Sequence, residues 1–83
     1  MIRTILIDDD FLVLQALETI LSVQDHIEVV GTGNDGHDAV ELYITHQPDL
    51  VLMDIRMEPT SGIEAAHEIL KDFPEANILF LTT

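Results

Sequence analysis

Four aspartates stand where their carboxylates could act together. Asp8, Asp9 and Asp10 directly follow the apolar run from Ile2 to Ile7, and Asp54 directly follows Leu50-Val51-Leu52-Met53. A side chain at a strand end is held rigidly, and in open parallel sheets ligands collect beyond the carboxyl ends of the strands. If these two runs are neighbouring strands, four acids meet at one rim. There they repel, and each resists ionisation unless a cation is near. An all-oxygen donor set in a chain without cysteine favours magnesium, with manganese as the alternative, over zinc. A local explanation competes. Aspartate is a favoured helix N-cap, and a lone Asp54 would read as a loop carboxylate facing water. One cap needs one side chain, so two of the three consecutive acids would still lack a use.

The elements that must hold these acids read as alternating strands and helices. Ile2 to Ile7 is short, apolar and rich in β-branched residues, the pattern of a buried strand. Phe11, Leu14, Leu17 and Leu21 recur at helical spacing, with acids near the start where they suit the helix dipole. Ile27 to Val30 is a second strand, closed by Gly31 and Gly33. A helix from Asp38 to His46 follows, carrying Ala39, Leu42 and Tyr43 on one face, and Pro48 prevents its continuation. Leu50 to Met53 is a third strand, and Glu58-Pro59-Thr60-Ser61-Gly62 has the chemistry of a loop. Ile63, Ala66 and Leu70 mark a third helix ending near Phe73-Pro74, and Ile78 to Leu81 is a fourth strand. Helices alternating with short strands buried on both faces imply right-handed βαβ units on a parallel sheet.

Composition narrows the function classes. The 83 residues suffice for one small domain, and 47% hydrophobic content suits a packed core. The formal charge is −13 and the only cations are Arg3, Arg56 and Lys71, so no basic patch can neutralise nucleic-acid phosphates. This segment is not expected to bind DNA by itself. It shows no membrane-spanning stretch and no signal-peptide pattern, and the absence of cysteine is compatible with a reducing cytoplasm. The bland reading of most of the acids is a solvated surface.

Several other features invite chemistry and fail on spacing. Gly31-Thr32-Gly33-Asn34-Asp35-Gly36 is a literal G-x-G-x-x-G between a strand and a helix, with Asp54 near the distance of a ribose-binding acid. That fingerprint belongs in the first βα unit of a longer fold, and it leaves Asp8, Asp9 and Asp10 without a role. A plain glycine turn is the simpler reading. His26, His37, His46 and His67 have no metal-binding spacing and are expected at the surface. Met53, Met57 and Tyr43 are expected to pack. The consecutive aspartates lack the alternation and the glycine of an EF-hand loop.

Taken together, Ile7-Asp8-Asp9-Asp10, Leu52-Met53-Asp54-Ile55-Arg56-Met57, Gly62 eight residues past Asp54, and Leu81-Thr82 resemble response-regulator receiver domains in order and spacing. Val30-Gly31 through Asn34-Asp35-Gly36 to Ala39 is similar to the family's second βα turn, and the resemblance runs over all 83 residues. It implies a flavodoxin-like, CheY-like α/β fold with strand order 2-1-3-4, comprising the first four βα repeats without the fifth strand and last helices. It implies a two-component phosphoacceptor switch in the cytoplasm, regulated by a sensor histidine kinase and not itself a conventional enzyme. Asp54 would take the phosphoryl group. Asp9 and Asp54 would ligate Mg²⁺ directly, Asp8 would help through water, and Arg56 would lend its backbone carbonyl. Thr82 would contact the phosphoryl group and act in the switch. A carboxylate can serve as a covalent nucleophile in phosphoryl transfer, with a metal neutralising charge on donor and acceptor. The wording of the motifs looks most like regulators with a C-terminal helix-turn-helix output, so DNA would be reached through a domain outside this chain. A homodimer is compatible, through surfaces beyond Thr83.

Two departures from the family bear on these expectations. Met57 is followed by Glu58 and then Pro59, where the family places proline directly after the methionine, and this puts the local shape of the loop in question. The family also pairs the phosphoryl group with a lysine of its fifth strand, whereas no lysine follows Thr82 and the only one is Lys71. The sequence stops straight after an apolar strand, so it is expected to be part of a longer protein and, alone, to bind metal better than it signals. Alone, its fourth strand would be an apolar edge open to pairing. Two alternatives remain. A magnesium-dependent phosphohydrolase would want a second acid two residues after its nucleophile, the position of Arg56. A non-phosphorylated interaction module of the same fold would be expected to have lost one of Asp8, Asp9 or Asp54.

Overall fold

The computed structural model describes residues 1–81. The elements run β1 (Ile2–Ile7), α1 (Phe11–Ser22), β2 (Ile27–Gly33), α2 (Gly36–His46), β3 (Leu50–Asp54), α3 (Gly62–Asp72) and β4 (Ile78–Leu81). All strand pairs are parallel, in the order β2-β1-β3-β4. The expected alternation and strand order are therefore present, and β1 and β3 lie side by side in the centre.

The period of two along the central strands divides the core between the faces. Ile5 and Ile7 of β1 and Val51 and Met53 of β3 pack on one face against Ala39 and Tyr43 of α2 and Ala65, Ala66 and Ile69 of α3. Leu6 and Leu52 point the other way, toward Leu14 of α1. Helices on both faces leave the last four residues of β1 and of β3 buried, while β2 and β4 remain partly exposed. The expectation of strands buried on both faces thus holds for the central pair only. Met53 and Met57 are buried, and Tyr43 packs on Phe73 with ring centroids 4.9 Å apart.

Three expected boundaries or faces differ, each for a local reason. First, β2 does not close at Gly31. The register slips between Thr4 and Ile5, so that Thr4 faces Val29 and Ile5 faces Gly31, and the strand runs on to Gly33. The glycine marks a bulge inside the strand, a common place for one. Second, α2 starts at Gly36, ahead of Asp38, because Asp35 caps it by accepting from the Asp38 amide at 2.9 Å. Third, α3 buries Gly62, Ala65, Ala66 and Ile69, while Ile63 and Leu70 are exposed. The inner face of α3 is built largely of small residues, and the helix lies close beside α2, with only Gly62 at its start meeting the end of β3. The helix begins with a capping box in which Ser61 and Glu64 satisfy each other's backbone amides. Phe11, one of the residues recurring at helical spacing along α1, is exposed.

Of the three cations, Arg3 has a defined place. The Arg3 guanidinium reaches from β1 to the last carbonyls of α2, donating to His46 O at 2.8 Å, where a positive charge meets the negative end of the helix dipole. Gln47 ends that helix in the left-handed region at φ 42°. No helix among the described residues is long and apolar enough to cross a membrane.

Candidate metal-binding site

The site lies at the carboxyl rim where β1 and β3 end side by side. Ile7 pairs with Met53 across the two strands, which puts the next residue of each chain segment, Asp8 and Asp54, at the same edge. Asp8 is only 2% exposed and Asp54 7%, whereas Asp9 faces solvent. One carboxylate oxygen from each of Asp8, Asp9 and Asp54 lies within 4.8 Å of the other two. Of the four acids expected to meet at this rim, Asp8, Asp9 and Asp54 are brought together, while Asp10 is not part of the group.

The three consecutive aspartates divide their work. Asp10 is the N-cap of α1, its Oδ1 accepting from Leu12 N at 2.9 Å and Val13 N at 3.4 Å. The acids therefore precede α1 and do not occupy its first turn. Capping accounts for one side chain and leaves Asp8 and Asp9 free for the cluster. Asp8 is tied down on both sides: its amide donates to Gly33 O at 3.1 Å, and its Oδ1 accepts from Asp10 N at 2.8 Å. The bulged extension of β2 to Gly33 supplies the first of these anchors.

Electrostatics at the rim are unfavourable without a counter-charge. Burial pushes the Asp8 carboxyl above the ordinary carboxylate range; the hydrogen bond from the Asp10 amide opposes this, and the charges of Asp54, Asp9 and Asp10 add to the rise. Two buried carboxylates and one exposed one, all oxygen donors, suit a hard divalent cation that keeps part of its water shell. Such an ion would remove both the repulsion and the desolvation cost carried by Asp8.

Asp54 is the last residue of β3, paired with Leu81 of β4, and the loop that follows wraps around it. The Arg56 amide donates to Asp54 Oδ1 at 3.3 Å, and Arg56 shares a shallow open groove with Asp9, Met57 and Glu58. This places the Arg56 backbone beside the cluster. The loop closes where Gly62 N donates to Ile55 O at 2.9 Å. A side chain at Gly62 would run into the Asp54 carbonyl oxygen, so only glycine permits the close approach of α3 to the rim. The Glu58–Pro59 peptide, where the sequence departs from the family pattern, is cis. Thr82, expected to contact a phosphoryl group, lies outside the described residues.

The glycine motif between β2 and α2 is no phosphate cradle. Asp35 and Asp38 fill the space with carboxylates, Asp38 Oδ2 accepting from the Asn34 amide at 3.0 Å, and Gly36 is buried against Thr60 and Ser61. An anion there would meet two negative charges. Sequence reasoning did not find Gly33 as the anchor of Asp8 or Thr60 as a partner of Gly36. Neither has a local signal, because each contact depends on register between separate elements.

Comparison with known proteins agrees with this geometry. The family model for the response regulator receiver domain matches residues 4–83. The chain is 41% identical over 83 residues to the transcriptional regulatory protein LiaR of Bacillus subtilis, covering all of this chain and 39% of that protein. It is 37% identical over 81 residues to the transcriptional regulatory protein DegU of Brevibacillus brevis, covering 98% of this chain and 34% of that one. The chain thus spans little more than a third of these relatives. Among solved structures, the response regulator domain of Thermotoga maritima CheB superimposes with a TM-score of 0.94 at 35% identity, over 99% of this chain and 60% of that one. The signal receiver domain of NarL from Mycobacterium tuberculosis gives 0.92 at 30% identity, over 98% and 65%.

Proposed function

The chain belongs to the response regulator receiver domain family, and on that premise we propose that Asp54 is its phosphoryl acceptor. The observation that carries this reading is the convergence of Asp8, Asp9 and Asp54 at the rim between β1 and β3. Asp54 offers a carboxylate fixed at a strand end, with one oxygen oriented by the Arg56 amide. Attack by the other oxygen on a phosphohistidine would form an O–P bond as the P–N bond breaks, the histidine nitrogen keeping the electron pair and taking up a proton.

Asp8, Asp9, Asp54 and the backbone carbonyl of Arg56 would hold Mg²⁺, or Mn²⁺ in its place. When bound, the ion neutralises the carboxylates and the incoming phosphoryl oxygens. Asp9 and Asp54 supply direct ligands in this reading, and Asp8, buried behind them, orients a water. Thr82 follows Leu81, the residue paired with Asp54, and would hydrogen-bond the phosphoryl group. The domain would act as a regulatory acceptor and not as a conventional enzyme, served by a sensor histidine kinase in the cytoplasm. Transcriptional regulators among the relatives support a DNA-binding output outside this chain, which could act as a homodimer. The acidic charge of this segment agrees with DNA contact residing elsewhere.

The test is phosphorylation by a small acyl-phosphate donor with Mg²⁺, read by intact mass. One phosphoryl group should be added to the wild-type protein, none to Asp54→Ala, and none when the metal is chelated. Labelling unchanged in Asp54→Ala, or steady turnover of phosphate esters without a retained phosphoryl group, would refute the assignment.

A further inference from the structure

The loop from Ile55 to Ser61 carries the Arg56 backbone that faces the site, so whatever fixes this loop also fixes the site. Its base is closed internally by the Gly62 amide on Ile55 O. Among the described residues, one backbone hydrogen bond in a turn or loop reaches it from outside the adjoining β3 and α3. It is the Gly36 amide at the start of α2, donating to Thr60 O at 3.0 Å. The approach is closer than a side chain allows. A Cβ on Gly36 would sit 2.6 Å from Thr60 Cγ2, 2.7 Å from Thr60 O and 2.9 Å from Ser61 O. Gly36 is buried, and Asp35 caps the same turn, so the first turn of α2 is a firm surface for the loop to rest on.

We propose that Gly36 is a positioning residue for the Asp54 site, acting through Thr60: the first turn of α2 clasps the loop and sets where the Arg56 backbone stands relative to Asp54. The inference rests on the reading of Asp8, Asp9 and Asp54 as a metal site. Two of the three obstructing atoms are backbone oxygens, so a side chain at Gly36 must displace the loop itself. Orienting groups around metal ligands typically change affinity by roughly 10- to 100-fold when altered. Coupling between two sites is also reciprocal, so metal at the rim should tighten the clasp.

The experiment titrates Mg²⁺ into wild-type protein and into Gly36→Ala, Gly36→Ala with Thr60→Ser, and Tyr43→Leu, with binding read by calorimetry. Gly36→Ala should bind roughly tenfold more weakly. Thr60→Ser removes the nearest obstructing carbon and should restore part of the loss. Tyr43→Leu loosens the same helix by removing its ring contact with Phe73 and should lower stability while leaving Mg²⁺ affinity unchanged. Amide hydrogen exchange on wild-type protein provides a readout that needs no substitution: saturating Mg²⁺ should slow exchange at Gly36 more than at His46, at the far end of α2. Equal affinity in Gly36→Ala and wild type overturns the inference, as does Gly36 exchange indifferent to Mg²⁺ or a Tyr43→Leu loss as large as that of Gly36→Ala. Failure of the wild-type protein to bind Mg²⁺ removes the metal site itself, and is distinguished from failure of the clasp by that same wild-type titration.

Discussion

Replacing Gly62 by alanine isolates the contact between the start of α3 and the end of β3. The added methyl would lie 3.0 Å from Ile55 Cα and 3.1 Å from the Asp54 carbonyl carbon, and nearer still to the Asp54 oxygen. All three are backbone atoms, so no rotamer change relieves the clash. Restoring ordinary contact requires α3 and the end of β3 to separate by on the order of 1 Å. Overpacking against a rigid partner costs about 3 kcal/mol at the upper end of the usual range. Alanine recovers roughly 0.4–1 kcal/mol by restricting the unfolded chain, and no glycine here has a positive φ that alanine would resist. The net loss is about 2 kcal/mol, or roughly 8–16 °C in Tm for a domain of this size. Because the chain has no tryptophan, urea denaturation is best followed by far-ultraviolet circular dichroism. Gly31→Ala is the matched comparison. Its methyl would meet the mobile tips of Leu42 at 3.0 Å and His46 at 3.5 Å, so it should change stability by less than about 1 kcal/mol. A Gly62→Ala protein within about 0.5 kcal/mol of wild type, or a Gly31→Ala loss of equal size, would refute the packing argument.

Other outcomes follow from the same structure. The raised Asp8 carboxyl gives a defined pH dependence for the metal-free protein. Below the unfolded value of 3.8 its contribution to stability is fully present, and it is lost as pH rises through the higher folded value. Asp8→Asn should therefore raise the metal-free Tm at neutral pH and abolish its Mg²⁺-dependent increase; a lower Tm without metal would contradict the repulsion argument. Asp10→Ala should cost about 1 kcal/mol through the lost cap while retaining Mg²⁺ binding, and loss of metal affinity would show that the three aspartates do not divide their roles. Arg3→Met should cost about 1–2 kcal/mol by removing a charged donor from the end of α2, with faster hydrogen exchange at Gln47, whose amide donates to Tyr43 O at 2.7 Å. Unchanged exchange there would deny Arg3 its capping role.

Much of this architecture is legible in the sequence because its signals are local and repeated. Apolar runs ending in aspartate mark the strand ends that matter, and the run of three acids exceeds what one cap requires. What stayed hidden depends on close backbone approach. Ile63 and Leu70 look like the buried stripe of α3 because they are large, yet Gly62 meets the end of β3 and α3 packs closely beside α2, so Gly62, Ala65 and Ala66 take the inner face with Ile69. Gly31 looks like the end of β2, but a bulge carries the strand on to Gly33, where it anchors Asp8. The meeting of Gly36 and Thr60 has no sequence signature at all, since each residue alone reads as ordinary turn chemistry.

Anomalous diffraction from crystals of the protein grown with Mn²⁺ locates the ion directly. One strong peak is expected at the rim between β1 and β3, with carboxylate oxygens of Asp9 and Asp54 at about 2.0–2.3 Å and Asp8 reaching it through water. A peak elsewhere on the acidic surface, or none at that rim with the metal in large excess, would contradict the proposed site.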